Sequence, residues 1–253
     1  MLAREFLRLC ALEALRPSAL LASDAGWPTL AGKYVSDSRI DPIDDVELDE
    51  RRPLIAVFTE ASSLTKIAQA GPLFYKNEVD LVFEISVVGK YPIEGGESII
   101  DYADTDAAIE VMLGSLEEQI YRCLHDGPTG ALFRQMAKLP FDDWVSTPHR
   151  SGEENIKLAR RKVSTKIRVK ETCYQAPIGD APQGFDRLPP ALKSIAEQLG
   201  ESTYLADLAL GMAKASTVTP ALSPFAGLKM TARPQPGVAG TAPIVSNADN
   251  LQG

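Results

Sequence analysis

The stretch NEVDLVFEISVVGKY, residues 77–91, constrains the fold of this chain more than any other segment. Its apolar residues fall at every second position: Val79, Leu81, Phe83, Ile85 and Val87. Polar residues, Asp80, Glu84 and Ser86, occupy most of the positions between them. An alternation with a period of two residues is typical of a β-strand that turns one face toward a core. The chain must therefore build a sheet and cover one face of it.

Two amphipathic helices are predicted to provide that cover. In residues 2–15, LAREFLRLCALEAL, apolar residues recur at helical spacing, and Pro17 follows to stop the helix. Residues 106–125 contain AAIEVMLGSLEEQIYRCL, in which apolar side chains return at steps of three and four. Both segments predict a helix with one apolar stripe packed on a flat surface.

The remaining segments complete an α-β-β-β-α-β order. We predict short strands over residues 34–40 and 53–60, joined by an acidic exposed connection, and a turn at Gly95 and Gly96. A further helical turn is predicted over 131–141, then a loop, and a final strand over about 155–174. The predicted class is α+β, with a small mixed or antiparallel sheet flanked by the two helices.

The chain is predicted to divide into three parts. Residues 1–176 form the α+β domain, and residues 177–215 form a helical extension introduced by Pro189 and Pro190. Residues 216–253 are rich in Pro, Ala, Thr, Gly and Ser without periodicity, which is typical of an extended or disordered arm.

Composition excludes several functional classes. The chain has 253 residues, a formal net charge of -8 and 45% hydrophobic residues, so it is a folded protein whose surface as a whole does not suit nucleic acid. Cys10, Cys123 and Cys173 show no C-x-x-C spacing, so neither a zinc site nor a disulfide framework is predicted, and a reducing compartment is expected. No run of about 18 apolar residues occurs, and we expect no membrane partner.

A catalytic, cofactor or metal site is not predicted. The histidines, His125 and His149, have no recognisable partner in sequence, and no serine stands in a G-x-S-x-G context. The acidic residues of segment 41–50 lack the spacing of a calcium loop. We therefore expect a protein that is not an enzyme, with an enzyme of unfamiliar site as an open alternative.

The segment ARRKVSTKIRVKE, residues 159–171, concentrates six basic residues in this acidic chain. In a strand, alternate residues share one face and recur about every 6.5 to 7 Å. The predicted interaction residues on one face are Arg160, Lys162, Lys166, Arg168 and Lys170. Two interpretations stay open: a water-facing strand neutralised by neighbours such as Asp80 and Glu84, or a surface that meets an acidic partner.

In its order of elements the chain resembles the tail terminator, or tail completion, proteins of long-tailed bacteriophages and gene transfer agents. The segments that carry the resemblance are LAREFLRLCALEAL, RPLIAVFTE, DLVFEISVVGK, AAIEVMLGSLEEQIYRCL and ARRKVSTKIRVKE. They cover about two thirds of the chain, and the extension after Gln175 departs from the compact members of the family.

The resemblance implies a structural role in a virion. Such proteins form a homohexameric ring that caps the tail tube and joins the tail to the neck proteins, around a channel through which DNA passes. The implied partners are other copies of the chain, the tail tube protein and a neck or head-completion protein, with transient DNA contact. The implied location is the tail and neck of the particle, assembled in the bacterial cytoplasm.

Two alternatives to a tail terminator remain. One is another neck component, such as a head-tail stopper or adaptor. The other is an accessory protein that binds nucleic acid through phosphates, without sequence preference, by its basic strand.

Overall fold

The computed structural model describes residues 2–38, 52–66, 75–92, 98–101, 106–153, 156–169, 183–199 and 203–215. Several predicted features lie outside these residues: most of the acidic connection after residue 38, the turn at Gly95 and Gly96, Lys170, Cys173 and the arm from residue 216 onward.

The described residues form strands and helices in an α+β arrangement. The helices are α1 (Leu2–Leu15), α2 (Asp106–His125), α3 (Ala131–Met136), α4 (Pro190–Gln198) and α5 (Tyr204–Ala215). The strands are β1 (Val35–Asp37), β2 (Arg52–Lys66), β3 (Tyr75–Pro92), β4 (Ser98–Asp101), β5 (Ala137–Glu153) and β6 (Ile156–Val169).

One mixed sheet organises the molecule, with the strand order β1-β2-β3-β6-β5. The β1 strand runs parallel to β2, and the other neighbouring pairs are antiparallel. The β4 strand pairs with the last residues of β3, from Gly89 to Pro92. The predicted α+β class, with a mixed sheet and flanking amphipathic helices, is confirmed.

The helices pack on one face of this sheet. Ile55 of β2, Phe83 of β3 and Val163 of β6 belong to a single buried cluster that also contains Phe6 of α1 and Leu116 of α2. Burial of these side chains follows the predicted alternation of β3 and the predicted stripes of α1 and α2. Removing their apolar surface from water supplies the main stabilisation of the domain.

The C-terminal helices join the same cluster. Leu192 and Ile195 of α4, and Leu205 and Ala209 of α5, are buried with the side chains of α1. At the start of α5, the Tyr204 hydroxyl lies 3.1 Å from Asp37 Oδ2 at the end of β1.

The prediction for residues 137–153 was wrong. The helical turn is limited to α3, and the predicted helical residues 137–141 and the predicted loop after them form β5, the strand that borders β6 at the edge of the sheet. An edge strand of this kind tolerates Pro140, Pro148 and several exposed polar residues, which is why its sequence lacks an alternating apolar pattern. The β2 strand is also longer than predicted and continues past Glu60 to Lys66.

Candidate interaction surface

The β6 strand presents two chemically different faces. Val163, Thr165, Ile167 and Val169 are buried on the helix-covered face. Lys162, Lys166 and Arg168 are exposed on the opposite face, and Arg160 is half-buried there. This division agrees with the facial alternation expected from the sequence. The face of the sheet opposite the helices is called the outer face below.

Carboxylates from neighbouring strands pair with most of the described cations of this row. Arg160 Nη1 donates to Glu84 Oε1 of β3 at 3.1 Å, and Lys162 pairs with Glu60 of β2. Among the described residues, Lys166 has no carboxylate within ion-pair distance, although Asp80 and Asp143 are its register partners on β3 and β5.

Arg168 connects β6 to carboxylates on both of its neighbours. Its Nε lies 2.8 Å from Asp142 Oδ2 of β5 and 3.7 Å from Glu78 Oε1 of β3. Of the two neighbours named from the sequence, Glu84 is an ion-pair partner and Asp80 is only a register partner. The positive row is therefore largely neutralised within the chain.

Cations of β3 and β6 together lower the pKa of Glu78. A hydrogen bond from Lys76, at 2.6 Å, lowers the pKa of the Glu78 carboxyl below its ordinary value, and the charges of Lys76, Arg168 and Lys166 act in the same direction. Apart from Lys76, the described charged side chains of β3 on the outer face are acidic, and they lie beside the cations of β6, so the two signs of charge meet across the strands.

Arg161 points to the other face of β6 and forms a network that the sequence did not predict. Its Nη2 lies 2.6 Å from Glu110 Oε2, and its Nη1 lies 2.9 Å from Glu117 Oε2, so it joins the sheet to two positions of α2 that are seven residues apart. Glu117 also accepts hydrogen bonds from Trp144 Nε1 at 3.0 Å and from Ser146 Oγ at 3.0 Å. The signal in the sequence was the seven-residue spacing of the two glutamates on one side of a helix.

An aromatic cluster lies beside this network, where α2 crosses β5. Tyr121 stacks on His125 with ring centroids 5.4 Å apart, and it meets Trp144 edge-on at 5.2 Å. Phe141 contacts both His125 and Trp144, at 6.1 Å and 5.5 Å. Such edge and stacked contacts add to the stabilisation from buried area.

The two histidines take separate places in this structure. His125 ends α2, inside the aromatic cluster, and its Nδ1 lies 2.8 Å from Asp126 Oδ1. His149 is exposed on β5, opposite Arg160 in the register. Within the described part of the chain, no group of three or more His, Cys, Asp or Glu side chains is arranged to hold a metal ion.

The described cysteines are buried thiols. Burial, with the neighbouring Glu13 carboxylate in second place, raises the pKa of Cys10 far above its ordinary value, and burial also raises the pKa of Cys123. Cys123 Sγ lies 3.7 Å from the Pro28 carbonyl oxygen. Neither thiol is activated as a nucleophile, since activation requires a lowered pKa and access to solvent.

The outer face is suited to contact a surface that carries both signs of charge. Its exposed cations stand beside carboxylates, so the field that they project is short-ranged, whereas a polyanion is attracted by unpaired positive charge. A protein partner that carries charges of both signs can form ion pairs with this face.

Comparisons with known proteins add no assignment. A scan against models of protein families finds no match, and a search of curated proteins finds no relative. No helix in the described ranges is long and apolar enough to cross a membrane.

Proposed function

We propose that this protein is a ring-forming tail terminator of a phage-like particle, which caps the tail tube and joins the tail to the neck. In this role the protein assembles with other proteins and does not catalyse a reaction. The partners are further copies of the chain, the tail tube protein and a neck or head-completion protein, and DNA passes the ring only transiently.

One observation carries the proposal: the helices cover one face of the sheet, and the opposite face carries a row of cations on β6 that is paired with carboxylates of β2, β3 and β5. The elements in which the resemblance to tail terminators was found, α1, β2, β3, α2 and β6, build this two-layer arrangement. A subunit of a closed ring needs surfaces that dock on identical neighbours.

The nucleic-acid alternative loses support from the same surface. Arg160, Lys162 and Arg168 each have a carboxylate partner, so only Lys166 among the described cations of the row is unpaired. Binding to phosphates would require those ion pairs to open. A different neck component, such as a head-tail stopper, fits the same chemistry and is separated from a terminator by its partner.

The assembly test uses the purified full chain. Mass photometry and negative-stain imaging are expected to show six-fold rings, and those rings are expected to bind a tail tube protein from a long-tailed phage-like particle. A persistent monomer that does not bind the tube would contradict the proposal. Rings that bind portal-side neck proteins but not the tube would favour the stopper.

A single variant tests the outer face without breaking an ion pair. Because Lys166 has no carboxylate within ion-pair distance among the described residues, Lys166→Gln removes a cation at little expected cost to the fold. We expect weaker ring-to-tube binding with an unchanged melting temperature. The matched control is Lys193→Gln on α4, where the cation pairs locally with Asp186; equal loss of binding in both variants would count against a specific role for the outer face.

A further inference from the structure

The β5 strand leaves one of its two edges open. It lies at the end of the strand order and, among the described strands, pairs only with β6. Every residue from Val145 to His149 is exposed. Val145 is 52% exposed, so about half of its apolar side chain is left in contact with water. An open strand edge is a template for pairing with another chain.

Hydrogen bonds at the other end of the sheet show which residues of β5 face that edge. Ile55 N donates to Tyr34 O at 3.1 Å, and Ser38 N donates to Val57 O at 2.9 Å, so odd-numbered residues of β2 direct their main-chain groups toward β1. These groups alternate between the two sides of a strand. The registers carry this alternation from β2 through β3 and β6 to β5. As a result, the main-chain N–H and C=O groups of residues 144, 146 and 148 point to the open edge of β5.

Pro148 occupies one of these outward positions. Proline has no N–H, so at this site it sacrifices no hydrogen bond to β6 and removes one donor from the open edge. Trp144 and Ser146 keep both an outward N–H and an outward C=O. The open edge can therefore form strand-pairing hydrogen bonds at Trp144 and Ser146, and Pro148 lacks the donor needed to continue the pairing.

We propose that β5 pairs with β5 of a second copy of this chain, antiparallel, about a two-fold axis through Val145. In this register Trp144 of one copy and Ser146 of the other exchange both of their main-chain hydrogen bonds. Val145 faces its own counterpart in a pair without hydrogen bonds between them, where Cα atoms approach to about 4.5 Å. The exposed valine is thereby covered by an identical apolar side chain.

The sequence of β5 disfavours several of the alternative registers. An axis through Asp143 would place two carboxylates opposite each other, which is destabilising. An axis through Ser146 or Thr147 would place Pro148 opposite Trp144 or Ser146 and remove a hydrogen bond close to the axis, whereas the axis at Val145 places Pro148 opposite Asp142, at the end of the paired stretch. With the axis at Val145, Asp143 faces Thr147 of the other copy, and His149 of that copy lies diagonally across, where its imidazole can reach the carboxylate.

This contact goes beyond the proposed ring. A two-fold contact uses the same surface on both copies and closes at two, whereas a ring of six requires a different, head-to-tail contact. The dimer contact can therefore be tested independently of the function proposed above.

The test is sedimentation velocity on the full chain over a range of concentrations. Val145→Glu would place two carboxylates face to face at the axis, and we expect the dimer dissociation constant to rise at least tenfold. Val111→Glu is the matched control, because Val111 is 70% exposed on α2, outside the pairing edge, and is expected to leave the dimer unchanged.

Chemical cross-linking supplies an independent measurement. In a Cys173→Ser background, Val145→Cys is expected to give a disulfide-linked dimer on treatment with diamide, while Val111→Cys is expected to remain monomeric on a non-reducing gel. Cys10 and Cys123 are buried and do not compete. A chain that never dimerises, or a dimer that is indifferent to Val145→Glu and does not cross-link through Val145→Cys, would overturn the proposal. Six-fold rings unaffected by Val145→Glu would overturn it and leave the proposed function intact.

Discussion

Arg161 Nη1 on β6 lies 2.9 Å from Glu117 Oε2 on α2, and both side chains are less than one fifth exposed. This ion pair fixes the helix over the sheet at the point where β5 joins it, because Glu117 also accepts hydrogen bonds from Trp144 and Ser146 of β5. A carboxylate with three donors on two strands determines where α2 crosses the sheet.

Replacing Glu117 should therefore destabilise the fold. Glu117→Ala leaves Arg161 with Glu110 alone and deprives Trp144 Nε1 and Ser146 Oγ of their acceptor, and we expect a loss of about 2 to 3 kcal/mol in the free energy of unfolding. Chemical denaturation measures it. The neighbouring Glu118→Ala is the control: Glu118 pairs with Arg122 on the exposed side of α2, and its loss is expected to cost less than about 0.5 kcal/mol. Equal losses of unfolding free energy in the two variants would show that the Glu117 network does not stabilise the packing of α2 on the sheet.

Thr165 is a polar residue that is buried among apolar side chains. Its side chain is on the helix-covered face of β6, only 1% exposed, and its hydroxyl has no hydrogen-bond partner among the described residues. Thr165→Val keeps the shape and removes the unsatisfied group, so we expect an increase of about 1 kcal/mol in the free energy of unfolding. Thr165→Ala, which leaves a cavity, should lower it. A stability loss in the valine variant, measured by thermal and chemical denaturation, would mean that the hydroxyl is satisfied in solution.

Gly130 lies where the chain packs against the end of α2. A Cβ added there would stand 2.1 Å from the Cys123 carbonyl oxygen, which is a collision with main-chain atoms. We expect Gly130→Ala to lower the free energy of unfolding by more than about 3 kcal/mol, or to prevent folding. Gly211→Ala on α5 is the control, since nothing lies within 4 Å of its Cβ position and alanine favours the helix by about 1 kcal/mol. Opposite signs in thermal denaturation would confirm the close contact, and a tolerated Gly130→Ala would contradict it.

Glu13 gives the protein a dependence on pH. Burial raises the pKa of this carboxyl above its ordinary value, against the opposing hydrogen bonds from Ser18 and the charge of Arg16. A raised pKa means that the folded state holds the proton more tightly than the unfolded state, so the stability that the group contributes is present below about pH 4.5 and declines as the pH rises through the folded pKa.

Glu13→Gln cannot titrate and should not show this decline. Urea denaturation of both proteins between pH 4.5 and pH 8 is expected to show the wild type losing stability relative to the variant as the pH rises. Parallel pH profiles would mean that the carboxyl is hydrated in solution despite its position at the end of α1.

The periodicity of apolar residues predicted the elements that bury one face, and it missed the strand that is mostly exposed. The β3 and β6 strands and the helices α1 and α2 each turn one face to the core, and that face imposes a period on the sequence. The β5 strand has most of its residues exposed, so Pro140, Asp142, Asp143 and Pro148 occur in it and read as a loop.

The partners of the predicted basic row show the same limit. Glu84 could be named in advance because β3 was recognised, whereas Asp142 could not, because its strand was not. Glu110 and Glu117 depend on where α2 crosses the sheet, which is set by packing in three dimensions and has no expression in local sequence.

The position of β3 has a consequence for how the protein is made on the ribosome. Its first neighbour, β2, precedes it directly in the chain, but its second neighbour is β6, which pairs Val169 with Asn77 and Ala159 with Val87. One edge of the most apolar strand therefore stays uncovered until residue 169 has left the exit tunnel. During that interval the nascent chain exposes an apolar strand with an unpaired edge, which makes it prone to aggregation.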